Sequence, residues 1–283
     1  FSVVSSRPPR GMAGIVEALG VRLPFAAFNG GSLMGPDQSL IMAHRLKAAT
    51  ADQILGLLAQ REIDAWVFAD DTWRLRDPHG VYVERERRWS RARHLMHRDQ
   101  IDAIIAFPNQ GHWDQFQADT RYLTHIGGHQ TEVAVVFPVS GEVTAFVRGS
   151  NEIEWWRIAQ DWVREIRSSR RSWGEPVIER MKELQLDRGR IGISGLSGLL
   201  RAPEGTVVAG ILEKVRRAFP AARFDNATEL LQEARAVKGA EETAWIERAA
   251  EILDRVVAAI LAKAKPGVME TEMVATIWHT IIA

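Results

Sequence analysis

The chain has 283 residues, enough for about two domains at the usual one to two hundred residues each. Lys plus Arg and Asp plus Glu balance at 36 each, which leaves no electrostatic case for nucleic acid, an anionic membrane or a strongly charged partner. The absence of cysteine excludes disulfides, thiolate catalysis and Cys-zinc sites and fits a reducing cytosol, and no apolar stretch reaches the roughly 20 residues that span a bilayer.

The opening FSVVSSRPPRG reads as an apolar, β-prone strand ending at Ser5, and Pro8-Pro9 lead into an apolar helical pattern over roughly Gly14 to Leu19. A strand rarely begins a protein, and no signal-peptide pattern marks a processed terminus. PFAAFNGG is a short strand closed by Asn29-Gly30-Gly31, residues that tolerate positive φ. GSLMGPDQSLIMAHRL predicts a hairpin turning at Gly35-Pro36-Asp37. ATADQILGLLAQREI predicts a helix capped by Thr50, and DAWVFADDTWRLRD returns to extended structure. Around VERERRWSRARHLM the character changes: five Arg and two Glu fall between Glu84 and Arg93, an amphipathic helix begins, and a domain boundary is expected.

Beyond it, DAIIAFP is a strand, NQGHWDQFQADTRYLTHIGGHQ a polar loop, and TEVAVVFPVSGEVTAFVRG a hairpin turning at Ser140-Gly141. NEIEWWRIAQDWVREI is expected to be one helix, with Trp155 and Trp162 buried at helical spacing. EPVIERMKELQL, VVAGILEKVRRAF and ATELLQEARAV read as further helices and RIGISGL as a strand, so the alternation argues for an α/β sheet with helices on its faces. EETAWIERAAEILDRVVAAILAKA is a long amphipathic helix that stops at Lys265-Pro266-Gly267. A last helix from about Glu270 runs to an apolar, uncapped end at Ala283, so both ends of the chain read as cut.

Several residue groups invite chemistry. A strand end followed by a helix start is a ready place for phosphate, with backbone N–H groups, Ser5, Ser6, Arg7 and Arg10 as donors; the alternative is that these residues merely cap the helix. His112, Asp114, Asp119, His125 and His129 form the densest set of candidate metal ligands. Gly127 and Gly128 between the last two histidines disfavour a zinc-binding helix, and solvated loop histidines are the better reading. GISGLSG matches neither the nucleophile elbow nor the dinucleotide fingerprint and reads as a strand end with tight turns. Asp70 and Asp71 are adjacent on an extended segment and point to opposite faces, which fits solvation rather than acid–base work. On the long helix, Glu242, Glu247, Arg248, Glu251, Asp254 and Arg255 read as a solvated face opposite an apolar one.

Two families resemble different parts of this chain. Residues 1–84 resemble the Cof-type sugar-phosphatase branch of the haloacid dehalogenase (HAD) hydrolases, through VVSSRPPRG, FNGG and the hairpin, helix and Trp-bearing strand that follow. The resemblance places Ser5, with Ser6 and Arg7, at that family's phosphate-binding position. It also implies Mg²⁺ and an aspartate nucleophile, whose motifs this segment does not contain. Residues 85–283 resemble the creatinase, prolidase and aminopeptidase P group through RARHLMHRDQIDAIIAFPN, ADTRYLTHIGG, VVFPVSGEVTAFV, RGRIGISGL and LLQEARAVKGAEETAWIERAAEILDRVVAAILAKAKPGV.

That second resemblance implies a creatinase-type amino-terminal α/β domain over 85–237 and the first helices of a truncated pita-bread catalytic domain over 238–283. Arg235, Lys238 and Glu242 fall at the junction's usual positions, whereas Gly239 and Thr243 depart from its common Ser and Ile. The group holds two divalent ions (Mn, Co or Zn) with two Asp, one His and two Glu, all beyond the junction. No bound cofactor and no catalytic residue is therefore expected in this chain, and His279 is not assigned as a ligand. What the resemblance implies is a fusion of an Xaa-Pro peptidase fragment to a phosphatase fragment. The expected protein is cytoplasmic, inactive alone and homodimeric through the creatinase-like domain, with no nucleic acid or membrane partner. The alternatives are a Cof-type phosphatase-derived protein, a non-catalytic dimerisation module, or a mis-joined reading frame.

Overall fold

A computed structural model describes residues 2–5, 8–69, 72–80, 82–108, 117–127, 131–197 and 204–283. The chain divides into two compact units, Phe1–Val83 and Glu84–Ala283.

In the first unit, α1 (Pro9–Ala18) begins with Pro8 at its N-cap and Pro9 as its first helical residue, where a fixed φ suits helix entry and no amide hydrogen is missed. The helix thus starts well before the expected Gly14. It lays Met12 and Val16 against Val21, Phe25, Ala27 and Met34 to make a small core. β1 (Phe25–Ala27), β2 (Ser32–Met34) and β3 (Leu40–Ala43) form an antiparallel sheet in that order, and Val4 bridges Ala26 in parallel. The turn after β1 uses positive φ at Asn29 (53°) and Gly30 (95°), as its composition predicts. The β2–β3 turn is closed by the Gly35 N–H donating to the Ser39 carbonyl at 2.7 Å.

α2 (Ala48–Gln60) is capped by Lys47 rather than Thr50, which sits inside the first turn. Its amide is already satisfied by the Lys47 carbonyl. β4 (Trp66–Ala69) and β5 (Thr72–Leu75) pair as an antiparallel ribbon on which Trp66 and Trp73 pack edge to face, 5.0 Å apart.

The second unit is built on one mixed sheet. α3 (Val83–Arg98), β6 (Ala103–Ala106), α4 (Ala118–Thr124), β7 (Val133–Pro138), β8 (Thr144–Val147), α5 (Ser150–Ala159) and β9 (Glu165–Ser168) come first. α6 (Gly174–Glu183), β10 (Arg190–Ser194), α7 (Ala209–Ala218), β11 (Arg223–Asn226), α8 (Thr228–Ala236), α9 (Ala240–Lys263) and α10 (Glu270–Ile282) follow. The six strands lie in the order β11-β10-β6-β7-β8-β9; β7 runs antiparallel to both neighbours and the other pairs are parallel.

Alternation along the strands splits the core in two. Ile104, Val133, Val135, Phe137, Ala145 and Val147 face a layer from α3, α4, α5 and α8. Ile105, Ala134, Val136, Phe146, Ile191 and Ile193 face α6 and α7. Both faces of the central strands are covered, which is why β6, β7 and β8 read as nearly continuous apolar runs.

Three expectations change here. The helix predicted through Ile166 ends at Ala159. The buried Gln160 amide then donates to the Trp156 and Val163 carbonyls (3.2 and 3.0 Å) and accepts from the Val163 N–H (2.8 Å), turning the chain into β9. Trp162 is buried but outside a helix, and Trp155 is 60% exposed, its neighbour Trp156 taking the core position. The polar loop after β6 contains the short helix α4, whose buried residues Tyr122 and Leu123 are set by tertiary packing. β11, missed in the sequence, is a polar edge strand held by its parallel pairing with β10.

Phe137 is fully buried, and its ring meets Trp89 edge to face at 5.9 Å. Phe137→Ala should lower the unfolding free energy by about 3–5 kcal/mol, read from urea denaturation followed by far-UV circular dichroism.

Candidate functional site

In the first unit, the backbone of Ser5 is fixed at both ends. Its N–H donates to the Ala26 carbonyl at 3.0 Å, and its carbonyl accepts from the Asn29 N–H at 2.8 Å. Ser6 and Arg7 lie outside the described residues, as do Asp70, Asp71, His112, Asp114, His129 and Gly198. The N-cap of α1 is Pro8, which offers no side-chain acceptor to the first turn. Beside it opens a cleft of about 910 Å³, whose lining includes Arg10, Phe28, His44, Arg45 and Phe68. Cationic and aromatic side chains without a carboxylate among the described lining residues suit an anion with an apolar body.

In the second unit, the candidate metal ligands that are described separate. Asp119 accepts from the Ser194 hydroxyl and, at 2.8 Å, from Arg235. His125 is turned elsewhere. Among the described residues no three His, Asp or Glu side chains converge in a way that could hold a metal ion. Ser194 and Gly195 close β10 as a strand end with a tight turn: Gly195 has φ +85°, and its carbonyl accepts from the Thr206 N–H at 2.8 Å.

The junction residues each do structural work. Arg235 pairs with Asp119, and the Lys238 ammonium donates to the Arg235 carbonyl. The Glu242 carboxylate accepts from the Gly239 N–H at 3.0 Å, a one-way cap on the start of α9. A Cβ at Gly239 would meet the Glu84 carboxylate, the end of a flexible side chain that would have to shift.

The most concentrated electrostatics surround Arg88, a residue that sequence reasoning passed over. Arg88 is 5% exposed. Its guanidinium lies 3.2 Å from Glu84, 3.6 Å from Glu241 and 3.8 Å from Glu242, and it sits over the rings of Trp162 (4.8 Å) and Tyr122 (5.5 Å). Its Nη1 is 3.3 Å from Nε2 of His125. Arginine only donates, so His125 accepts there and carries its proton on Nδ1. The imidazole stacks on Trp162 at 3.7 Å. Burial first, then the positive charges of Arg88 and Arg121, push the His125 pKa down to about 4. Partial burial raises the Glu241 carboxyl, opposed by Arg88 and reinforced by Glu84, Glu242 and Asp161. One sequence signal was available: Arg88 shares its helical face with Ala92, Leu95 and Met96, an arginine in line with an apolar stripe.

The mixed α/β fold is similar to that of prolidase-type structures. The chain belongs to the Creatinase/Prolidase N-terminal domain family, whose sequence profile matches residues 88–237. Residues 1–136 match the profile of the haloacid dehalogenase-like hydrolases, and the two matches overlap in a stretch that folds with the second unit.

Among solved structures, the prolidase from Pyrococcus horikoshii OT3 is 16% identical with a TM-score of 0.51, covering 69% of this chain and 48% of that one. The Xaa-Pro dipeptidase from Bacillus anthracis is 19% identical with a TM-score of 0.53, covering 70% and 49%. The Pyrococcus furiosus prolidase is 16% identical with a TM-score of 0.52, covering 68% and 52%. The chain thus spans about half the length of the solved structures it matches. No curated protein matches it.

His125 gives a pH signature. Its folded pKa lies below the free value, so its contribution to stability is complete above about pH 6.5 and is lost as the pH falls toward 4, where the unfolded chain binds the proton first. Between pH 7 and pH 4 the loss in unfolding free energy should be about 2–3 kcal/mol smaller in His125→Gln than in the parent chain, allowing for partial solvent screening. Denaturant titrations of both proteins at the two pH values measure it.

Proposed function

We propose that this chain is a non-catalytic portion of an Xaa-Pro peptidase fold, a substrate-access and dimerisation domain that does not hydrolyse peptides by itself. The observation that carries this reading is the match of the second unit to prolidase structures over about half their length. In the family it resembles, the five metal-binding carboxylate and imidazole ligands lie past the junction built by Arg235, Lys238 and Glu242. The two divalent ions would clamp and activate water there, and the residues of this chain supply the platform that precedes them. Its self-association is assigned to a homodimer, without nucleic acid or membrane partners. Net neutrality supports the first exclusion, and among the described residues no helix is long and apolar enough to cross a membrane. A cysteine-free composition supports a cytoplasmic location.

A second reading is favoured by the cleft of the first unit: a phosphatase-derived site that binds a phosphorylated ligand without turning it over. The resemblance gives the phosphate to Ser5, Ser6 and Arg7, the cleft would offer Arg10, His44 and Arg45, and Mg²⁺ chemistry would need acidic residues that the cleft's described lining lacks.

The purified chain supplied with Mn²⁺ or Co²⁺ should release no proline from an Xaa-Pro dipeptide above the buffer blank. Supplied with Mg²⁺, it should release no phosphate from a sugar phosphate. Turnover that co-purifies with the chain through a second, orthogonal chromatography step would overturn the first reading for the peptide and the second for the phosphate.

A further inference from the structure

His125 ends α4 in the left-handed region, with φ +57°, and its N–H donates to the Arg121 carbonyl at 2.8 Å. Thr124 and Ile126 on either side of it are fully buried, so the backbone has little room to withdraw. The ring lies against Trp162, which is itself buried. Nε2 accepts from Arg88, and a proton can reach that nitrogen only by taking the place of the guanidinium. A protonated ring would set a second cation 3.3 Å from the first and leave Arg88 without this acceptor.

The Arg88 side chain is the long, flexible member of the pair. On its other side it reaches Glu84 of its own helix and Glu241 and Glu242 of α9. In the first two turns of α9 these two glutamates are partly buried, whereas Ala240 and residues 243–247 are exposed. The start of α9 therefore meets the sheet domain through carboxylates that Arg88 holds.

We propose that His125 is a proton latch for the start of α9. A proton on Nε2 displaces the Arg88 guanidinium, Arg88 gives up its hold on Glu241 and Glu242, and the first turn of α9 detaches and frays.

The surrounding groups set the direction. Burial opposes the proton first, followed by the charges of Arg88 from α3 and Arg121 from α4. Glu84, Glu241 and Glu242 are engaged by Arg88, and Asp161, in the turn before β9, acts on Glu241. A released imidazole takes its proton below about pH 6.5, whereas the latched one takes it only near pH 4, so acid favours the open joint across that window. Glu241 works in the opposite sense. Burial raises its carboxyl, so its own protonation favours the closed joint and offsets part of the effect.

Hydrogen exchange of the full chain at pH 7 and pH 5, expressed as protection relative to unstructured peptide so that the intrinsic pH dependence cancels, tests the latch. The reporting amides are those of Thr243, whose N–H donates to the Gly239 carbonyl at 3.0 Å, and of Ala244 and Trp245. In the parent their protection should fall on the order of tenfold from pH 7 to pH 5, while the amides of α6 and α7 keep theirs. His125→Gln, whose side-chain oxygen still accepts from Arg88 but takes up no proton, should hold its α9 protection constant. A parent equally protected at both pH values overturns the proposal whatever the variant does. So does a loss confined to the residues around His125, which would mean that the ring gives way and not Arg88. A Gln variant that loses α9 protection as the parent does overturns it too. Should His125→Gln not fold, NMR titration of the His125 ring in the parent decides: α9 protection that falls with the same midpoint as the ring supports the latch, and a separate midpoint overturns it.

Discussion

A single buried cation, Arg88, organises the place where the sheet domain ends and the long helix begins. Its guanidinium faces three carboxylates, two from the first turn of α9 and one from α3 itself, and two aromatic rings close over it. Burying one positive charge costs several kcal/mol unless partners and hydrogen bonds compensate, so the surrounding acids are constrained as tightly as the arginine. That constraint reaches outward. Glu84 lies against Gly239, Glu242 caps α9, and burial, with the charge of Arg88 added to it, keeps His125 neutral. The geometry is a clasp between elements distant in sequence. It offers no nucleophile and no set of metal donors.

The two units draw on different physics. The second has apolar layers on both faces of a six-stranded sheet and many fully buried side chains. The first has one small cluster around Phe25 and Met12, and α2 has no buried residue among those described. A unit with so little buried apolar surface draws correspondingly less stability from it. Its cleft nevertheless gathers Arg10, His44 and Arg45 beside two aromatic rings. The chain therefore combines an anion-suited cleft in a small unit with a well-packed sheet domain.

Much of this was legible in the sequence. The strands Ala103–Ala106 and Val133–Pro138 announce themselves as apolar runs, the turns at Asn29-Gly30 and Ser140-Gly141 by composition, and the boundary near Glu84 by a burst of arginines. The failures share one cause, which is that tertiary context decided the outcome. Residues after Ala159 keep helical composition, yet the Gln160 amide and the pairing of β9 with β8 redirect them. Edge strand β11 has no apolar run to find. His125 reads as a solvated loop histidine, and the fold instead stacks it on Trp162 beside Arg88, while Asp119 goes to Arg235. Arg88 itself was passed over in a charge-rich stretch, although its register with Ala92 and Met96 was there to find it.

The central claim is that Arg88 holds the first turn of α9 and the end of α4 onto the sheet domain. Native-state hydrogen exchange of an Arg88→Met chain tests this most directly, because it reports opening segment by segment. The account predicts faster exchange for the amides of Glu242–Trp245 and for those around His125, with the amides of α6 and α7 unchanged. Equal acceleration across the whole second unit, or no change at the start of α9, would contradict it.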